Sequence, residues 1–390
     1  MVHILLDPLG DCMKVALCTE ILYPLYGVEK RVYEMAKRLP HYGVEVDLFT
    51  STPQRSLPDV NIIQVSKPTI TNPPKRNYTF CLNYWAGIFR RVGASRYDLI
   101  DANGHLSLLP CSAAGVLSRK PVVATIHDLY LSEWSAMYSG KASPFGLAME
   151  VLSAKLPFEK ILTMNTSLKR KLIEQLRVPH EKVGIIPSGI DLRYLQRVKA
   201  GKKRERVIYV GRLAPQKNVS LLLRALHHVP SLTLDVIGEG EERTSLEELA
   251  AQLGVADRVV FHGKIDDHEK IMKMVKESLI FALPSKRESF GITVLEAMAC
   301  GTAVVSTNTE GPRDRIISGS NGFLSAFNER DFGKKMQAVA SNRALRKRLE
   351  KNGLETAAEY DWENIVARIA AVYEEVLREP RRQNATSSMR

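Results

Sequence analysis

The sequence predicts an α/β protein built from two doubly wound parallel-sheet domains in tandem, and three observations carry that prediction. Short β-type runs alternate with helical runs along most of the chain. The alternation breaks at residues 187–191 and a basic stretch, 197–206, then restarts at Val207. A chain of 390 residues also exceeds what one hydrophobic core usually holds.

The first strand is residues 14–18, Lys-Val-Ala-Leu-Cys. A helix starts near Gly27, with Val28, Val32, Met35, Ala36 and Leu39 at the 3.6-residue period, and Gly43 ends it. Residues 44–49 alternate apolar and polar as a strand. A strand at 97–101, a helix near 107–117 and a strand at 122–126 repeat the order. The apolar runs near 78–89 and 106–117 read as buried helices, because neither reaches the roughly 18 residues of a membrane span. Strands at 160–163 and 183–186 enclose a helical segment, 167–175. In the second half, strands are expected at 207–211, 232–237, 259–261, 279–283 and 303–306, with helices at 219–228, 243–253 and 268–275. A last helix, 362–377, presents Ile365, Ile369, Val372 and Val376 on one face and is long enough to pack back on the first domain. The expected domains are therefore residues 1–190 (with 1–12 as a peripheral extension) and 191–360. A crossover helix at 361–377 and a disordered tail at 378–390 complete the chain.

The hydrophobic share of 45% and charged share of 25% exclude a mainly disordered, collagenous or coiled-coil protein. The first residues lack the basic start of a secretory signal, and Asp7 interrupts their apolar stretch, so a cytoplasmic location is expected. The net charge of +12 is divided evenly between the two halves. No zinc-finger spacing or RNA-binding aromatic motif accompanies it, so no nucleic-acid partner is expected. The cluster Lys169-Arg170-Lys171 and the aromatics Tyr78, Trp85 and Phe89 leave two readings open: peripheral contact with an anionic membrane, or a basic enzyme free in solution. Five cysteines without paired spacing read as reduced thiols, not as a disulfide frame or a zinc site.

Ligands of open parallel sheets bind beyond the carboxyl ends of the strands, which with two sheets points to a cleft between domains. After the first strand of the second half comes Gly211-Arg212-Leu-Ala-Pro-Gln-Lys217. A tight turn, two cations and a helix start form a cradle for a diphosphate, or simply two surface cations in a loop. The turn at Gly238 either contacts a nucleotide or only feeds a helix. Neither domain opens with Gly-x-Gly-x-x-Gly, which weighs against hydride transfer. The most specific segment is residues 282–301, where Glu288 and Glu296 flank the turn Phe290-Gly291-Ile292-Thr293-Val294. Backbone N–H groups at the helix start suit a phosphate or sugar oxygen. Read as a solvated helix residue and a cap, the two glutamates would leave the rest of the string unexplained.

This segment, with Gly211-Arg212-Leu and Lys217, resembles the Glu-x7-Glu signature of the retaining glycosyltransferases of family four (glycosyl transferases group 1). Ile186-Pro-Ser-Gly-Ile-Asp191, Asn321-Gly-Phe-Leu324 and Tyr360-Asp-Trp362 extend the resemblance over residues 13 to about 377. It implies the GT-B fold: two Rossmann-like domains facing a central cleft, with the C-terminal helix crossing back to the first. It further implies that Arg212 and Lys217 hold the donor diphosphate, Glu288 the hydroxyls of the transferred sugar and Glu296 the ribose. Phe290, Gly291, Ile292, Thr293 and Val294 would supply backbone donors, with Gly238 and Ile265 lining the nucleotide. In Thr125-Ile-His127-Asp128, His127 matches the family's histidine beside donor sugar and acceptor; taken alone it reads as a packed or capping histidine. Gly27 matches the glycine-rich loop after the first strand, although this chain has Tyr26-Gly27 where the family often has two glycines. His105 and Asp128 are further candidates.

The implied reaction moves a hexosyl unit from a UDP-, GDP- or ADP-sugar to a glycan, a lipid-linked sugar, a small sugar or a sugar phosphate, with no cofactor beyond the nucleotide sugar. No Asp-x-Asp pair occurs to hold a metal on the diphosphate, so Arg212, Lys217 and helix N-termini would neutralise the leaving group. Two other classes share the architecture. A nucleotide-sugar epimerase would need acid–base carboxylates, for which Asp101 and Asp128 are available. A binding protein without turnover would not need the full set of Arg212, Lys217, Glu288 and Glu296.

Overall fold

The computed structural model describes residues 12–20, 27–51, 56–67, 78–93, 96–131 and 142–379. The expected N-terminal extension and C-terminal tail fall almost wholly outside the described residues. The chain divides into two compact units: residues 1–164, 168–186 and 365–390 form the first, residues 165–167 and 187–364 the second.

The first unit is built on seven strands: β1 (Met13–Thr19), β2 (Val44–Thr50), β3 (Val60–Gln64), β4 (Leu99–Asn103), β5 (Val122–Ile126), β6 (Lys160–Thr163) and β7 (Val183–Ile185). Every pairing is parallel, in the order β3-β2-β1-β4-β5-β6-β7. Strands covered on both faces have no solvated side, which is why β4 and β5 are apolar-rich and buried at every residue. Helix Gly27–Arg38 follows β1 and buries Val32, Met35 and Ala36. A 3₁₀ turn at Leu39–Tyr42, with Pro40 near its start, then stops at Gly43, whose φ of 74° lets the chain reverse into β2. Helix Tyr78–Val92 buries Tyr84, Ile88 and Val92 and leaves Leu82 and Phe89 exposed on its other side. The expected helix at 167–175 is α-helical over Thr166–Arg170 and widens to a π turn over Lys171–Gln175.

Helix Trp362–Arg378 ends the described chain, and from Ile365 onward it belongs to the first unit. Ile365, Ile369 and Tyr373 are fully buried, and each of the two isoleucines contributes about 1.5–3 kcal/mol. Polar ties flank that apolar face: Arg368 donates to the Ile185 carbonyl at 2.7 Å, and Lys160 meets Glu375 at 2.7 Å.

The second unit repeats the scheme with β8 (Arg204–Val210), β9 (Thr233–Ile237), β10 (Val259–Gly263), β11 (Ser278–Leu283), β12 (Ala303–Thr307) and β13 (Phe323–Ser325). All are parallel, in the order β10-β9-β8-β11-β12-β13. Asp191, Asp267, Asn328 and Asn342 each cap a helix of this unit, the side chain accepting a backbone N–H at 2.9–3.1 Å. Two parallel sheets of Rossmann-like strand order are the architecture the sequence predicts.

Candidate active site

In the second unit the expected donor residues gather at the carboxyl ends of β8, β9 and β11. The turns there are bonded side by side: Gly211 N–H donates to Ile237 O at 3.0 Å, Leu213 N–H to Glu239 O at 2.9 Å, and Gly238 N–H to Gly263 O at 2.9 Å. Buried Tyr209 donates its hydroxyl to the Arg212 carbonyl at 2.8 Å, which fixes that backbone while the Arg212 side chain stays exposed. Among the described residues the Arg212 guanidinium has no hydrogen-bond or ion-pair partner. Lys217 closes a 3₁₀ turn, Pro215–Lys217, ahead of helix Val219–His227. That turn is tied to the segment after β11, because Lys286 N–H donates to Gln216 O at 2.8 Å and Asn218 Nδ2 to Pro284 O at 3.1 Å. The result is a contact that spacing alone could not give: Lys217 Nζ lies 2.6 Å from Glu288 Oε2, with the side chains only 23% and 15% exposed.

Beyond β11, the other Glu288 oxygen accepts the Gly291 N–H at 3.1 Å. Gly291 has φ 75°, a left-handed conformation that a side chain would strain, and helix Ile292–Ala299 begins directly after it. Of the expected backbone donors, Gly291 is spent on Glu288 and Val294 on the Gly291 carbonyl. Among the described residues the N–H groups of Ile292 and Thr293, at the helix start, have no hydrogen-bond partner. Glu296 is buried farther along this helix, with Oε1 3.3 Å from His268 Nε2. The His268 ring stacks on that of Tyr194 with centroids 5.6 Å apart. Sequence reasoning missed both His268 and Tyr194; the available signal was a polar residue directly after the cap Asp267, beyond a strand end. Ile265 packs against the core of this unit.

In the first unit, His127 directly follows β5 and is half-buried, and among the described residues its Nε2 atom has no hydrogen-bond partner. Burial, then the charges of Arg31 and His105, hold its pKa well below the ordinary histidine value, so the ring is neutral near pH 7. His105 opens helix His105–Ser118 and is exposed; Gly27 opens helix Gly27–Arg38 and is likewise exposed. Asp128 Oδ1 accepts the Leu129 N–H at 2.9 Å. Glu150, which the sequence did not flag, is buried and accepts the amides of Tyr130 and Leu131 at 3.0 and 2.8 Å. Asp101 is fully buried and accepts from Tyr373 and Asn103. With Asp101 enclosed and Asp128 holding a turn, the epimerase alternative is not favoured. Among the described residues, no group of three or more His, Cys, Asp or Glu side chains is placed to hold a metal ion.

The residue pattern of the family described as Glycosyltransferase Family 4 matches residues 26–194, and that of Glycosyl transferases group 1 matches residues 193–356. An uncharacterized glycosyltransferase of Methanocaldococcus jannaschii is 27% identical over 386 residues, covering 93% of this chain and 98% of its own. A D-inositol 3-phosphate glycosyltransferase of Acidothermus cellulolyticus is 26% identical over 402 residues, covering 93% and 88%. Among solved structures, sucrose-phosphate synthase from Thermosynechococcus elongatus superposes with a TM-score of 0.77 at 22% identity, covering 93% of this chain and 99% of that one. HepE from Anabaena, in complex with UDP and glucose, gives 0.74 at 21% identity, covering 93% and 100%. With both patterns abutting across residues 26–356 and the GT-B neighbours matching nearly the full chain, the protein belongs to the family 4, group 1 glycosyltransferases.

Proposed function

We propose that the enzyme moves a hexosyl unit from a nucleotide-diphosphate sugar to an acceptor hydroxyl with retention of anomeric configuration. The observation that best supports this is the shielded Lys217–Glu288 pair beside the uncommitted amides of Ile292 and Thr293. Cation, carboxylate and amides at neighbouring strand ends suit a ligand that is an anion at one end and a polyol at the other. On this reading Arg212 and Lys217 bind the diphosphate and offset the charge that grows as the anomeric C–O bond breaks. Both Glu288 oxygens are already committed, one to Lys217 and one to the Gly291 amide, which favours orienting sugar hydroxyls over attacking the anomeric carbon. The acceptor would then enter on the leaving-group face, a diphosphate oxygen taking its proton. Glu296 holds the ribose, braced by His268. The neutral ring of His127 suits it to hydrogen-bond a sugar hydroxyl without adding charge.

UDP-glucose is the first donor to try, because the HepE structures contain UDP, glucose and UDP-glucose. The relatives named for D-inositol 3-phosphate favour a phosphorylated polyol or sugar as acceptor, ahead of a lipid-linked one. The lack of an Asp-x-Asp pair supports turnover without a metal. Peripheral contact with anionic lipid is supported by helix Tyr78–Val92, where Leu82 and Phe89 are 62% and 43% exposed beside Arg90 and Arg91.

The test is a thermal-shift comparison of UDP, GDP and ADP, followed by turnover of the matching glucose donor on D-inositol 3-phosphate with and without EDTA. A diphosphate at one hundred times its Kd adds about 2.7 kcal/mol of stability. One diphosphate should raise the melting temperature clearly above the others, turnover should survive chelation, and product NMR should show the donor's anomeric configuration. No stabilisation by any diphosphate would refute the donor site, and inversion would refute the mechanism.

A further inference from the structure

Arg315 lies just past the short helical turn Glu310–Arg313 and is 4% exposed. Its guanidinium carbon sits 3.8 Å from the centre of the Phe290 ring and 5.4 Å from that of Tyr360. One guanidinium nitrogen donates to the Gly311 carbonyl, while among the described residues Nε has no hydrogen-bond partner. Among the described residues, no carboxylate lies within ion-pair distance of it. A buried cation with no carboxylate in direct contact is costly, and burial lowers its pKa to about 10 although Tyr360, Asp314 and Glu288 lie near enough to oppose the shift. A side chain kept there at that cost needs a compensating role.

The contacts say what it holds. Phe290 is two residues past Glu288, inside the turn that aims the Glu288 carboxylate. Gly311, whose carbonyl Arg315 grips, donates its own N–H to the Glu288 carbonyl at 2.7 Å. A Cβ on Gly311 would lie 2.5–2.7 Å from the Phe290 backbone, so the two segments are pressed together with no room for a side chain. Arg315 is fixed in turn, its carbonyl accepting from Asn321 Nδ2 at 2.8 Å. The guanidinium thus closes a ring of contacts: Arg315 to the Phe290 face, Phe290 to Glu288 along the chain, Glu288 to Gly311 through the backbone, and Gly311 back to Arg315.

From this geometry we infer that Arg315 is a positioning residue for Glu288. It clamps the Phe290 ring by a cation–π contact and the Gly311 carbonyl by a hydrogen bond, and so holds the Glu288 carboxylate in register with Lys217. The inference rests on the sugar-orienting role proposed for Glu288 and extends it to a residue that touches no substrate. The planar fork matters as much as the charge: an ammonium could sit over the ring but could not also present a nitrogen to Gly311 in the same plane.

The test compares wild type, Arg315→Met, Arg315→Lys and Glu288→Gln. The readouts are melting temperature, affinity for UDP alone, affinity for UDP-glucose, and UDP release from UDP-glucose with water as acceptor. Arg315→Met should bind UDP within about threefold of wild type, because no diphosphate or ribose contact is removed. It should lose part of the extra affinity that glucose confers and, above all, release UDP at least about tenfold more slowly at saturation. Arg315→Lys should recover part of both losses. Unchanged kcat and an unchanged UDP to UDP-glucose affinity ratio in Arg315→Met would overturn the inference, as would UDP affinity falling in step with turnover. If Arg315→Met does not fold, Arg315→Lys decides: wild-type kcat there overturns the clamp, and a selective loss of kcat supports it. Glu288→Gln separates the two levels. If it is impaired while both Arg315 variants are not, only the clamp fails; if it behaves as wild type, the role of Glu288 fails and the clamp with it.

Discussion

The hydroxyl of Tyr373 donates to the carboxylate of Asp101, and neither side chain has any exposed surface. The donor lies on the C-terminal helix and the acceptor on β4, beside β1, so a single polar contact fastens the end of the described chain to the middle of the first sheet. Asn103 donates to the other Asp101 oxygen at 3.0 Å, and buried Arg31 supplies nearby positive charge. Burial pushes Asp101 up to about 6 and Tyr373 further up, leaving a neutral phenol facing an ionised carboxylate at neutral pH.

That arrangement makes the anchor depend on pH. The folded pKa of Asp101, about 6, is above the ordinary value of 3.8, so the folded chain holds this proton more tightly than the unfolded one. Stability from that preference is complete below about pH 4 and is lost as pH rises through about 6. Above it the buried carboxylate relies on its donors. Tyr373→Phe should therefore cost about 1.5–3 kcal/mol at pH 8, where the lost bond is charge-assisted, and about 0.5–1.5 kcal/mol at pH 5. Urea titrations at both values check this, and an equal cost at each would mean that Asp101 does not ionise in the fold.

His268 is expected to act on donor affinity alone. It touches Glu296 at 3.3 Å and stacks on Tyr194, while the side chain itself remains 42% exposed. A partly solvated contact of this kind carries about 1 kcal/mol, so His268→Ala should raise the donor KM about fivefold with kcat nearly unchanged. His268→Gln, which can still donate to Glu296, should lose less. A fall in kcat at constant KM would separate His268 from the ribose site.

Strand-helix alternation was legible because β4, β5, β11 and β12 are buried at every residue and are mostly apolar. Other elements escaped for physical reasons. β3 is five residues long and only partly buried, so its pattern is faint. Helix Arg343–Ala358 buries only Leu349, Gly353 and Ala357, and its many Lys, Arg and Glu residues hide the apolar period. The candidate site was legible as a set of residues and not as a set of contacts. Lys217 and Glu288 are 71 positions apart and meet because β8 and β11 are neighbours in the sheet, and Tyr373 and Asp101 are 272 apart. No spacing rule reaches so far. The same holds for Arg315, which looks like one more cation in a basic chain until its ring contacts are seen.

The exposed side of helix Tyr78–Val92 should bind anionic bilayers. Leu82 and Phe89 lie seven residues apart on one face, with Arg90 exposed alongside. Each cation near such a surface adds about 1 kcal/mol, and the inserted apolar side chains add to that. Wild-type protein should co-sediment with phosphatidylserine-containing vesicles and not with pure phosphatidylcholine, and more at low salt. Leu82→Gln with Phe89→Gln should weaken this with only a small change in melting temperature, since both side chains are partly exposed to water. Equal sedimentation with neutral and anionic vesicles would remove the idea.

Glu288, Glu296 and Arg212 should fail in three distinguishable ways. Glu288→Gln keeps the shape of the side chain but loses the charge that meets Lys217 at 2.6 Å. If the carboxylate orients the transferred sugar, the anomeric carbon is then misplaced, and the loss falls mainly on kcat. If Glu296 holds the ribose, Glu296→Gln weakens a contact made equally before and during bond cleavage, so it should mainly raise the donor KM. Arg212→Ala should damage both, because the diphosphate is charged in the ground state and gains charge in the transition state. Among the described residues its exposed guanidinium has no partner to lose, so the variant should melt as wild type does. Losing a charge-assisted contact to the diphosphate costs about 1.5–3 kcal/mol, roughly tenfold to more than a hundredfold in kcat/KM. Steady-state kinetics at saturating acceptor, on variants of unchanged melting temperature, resolve the three patterns. Near-wild-type kinetics for both Glu288→Gln and Arg212→Ala would move the active site away from the carboxyl ends of β8 and β11.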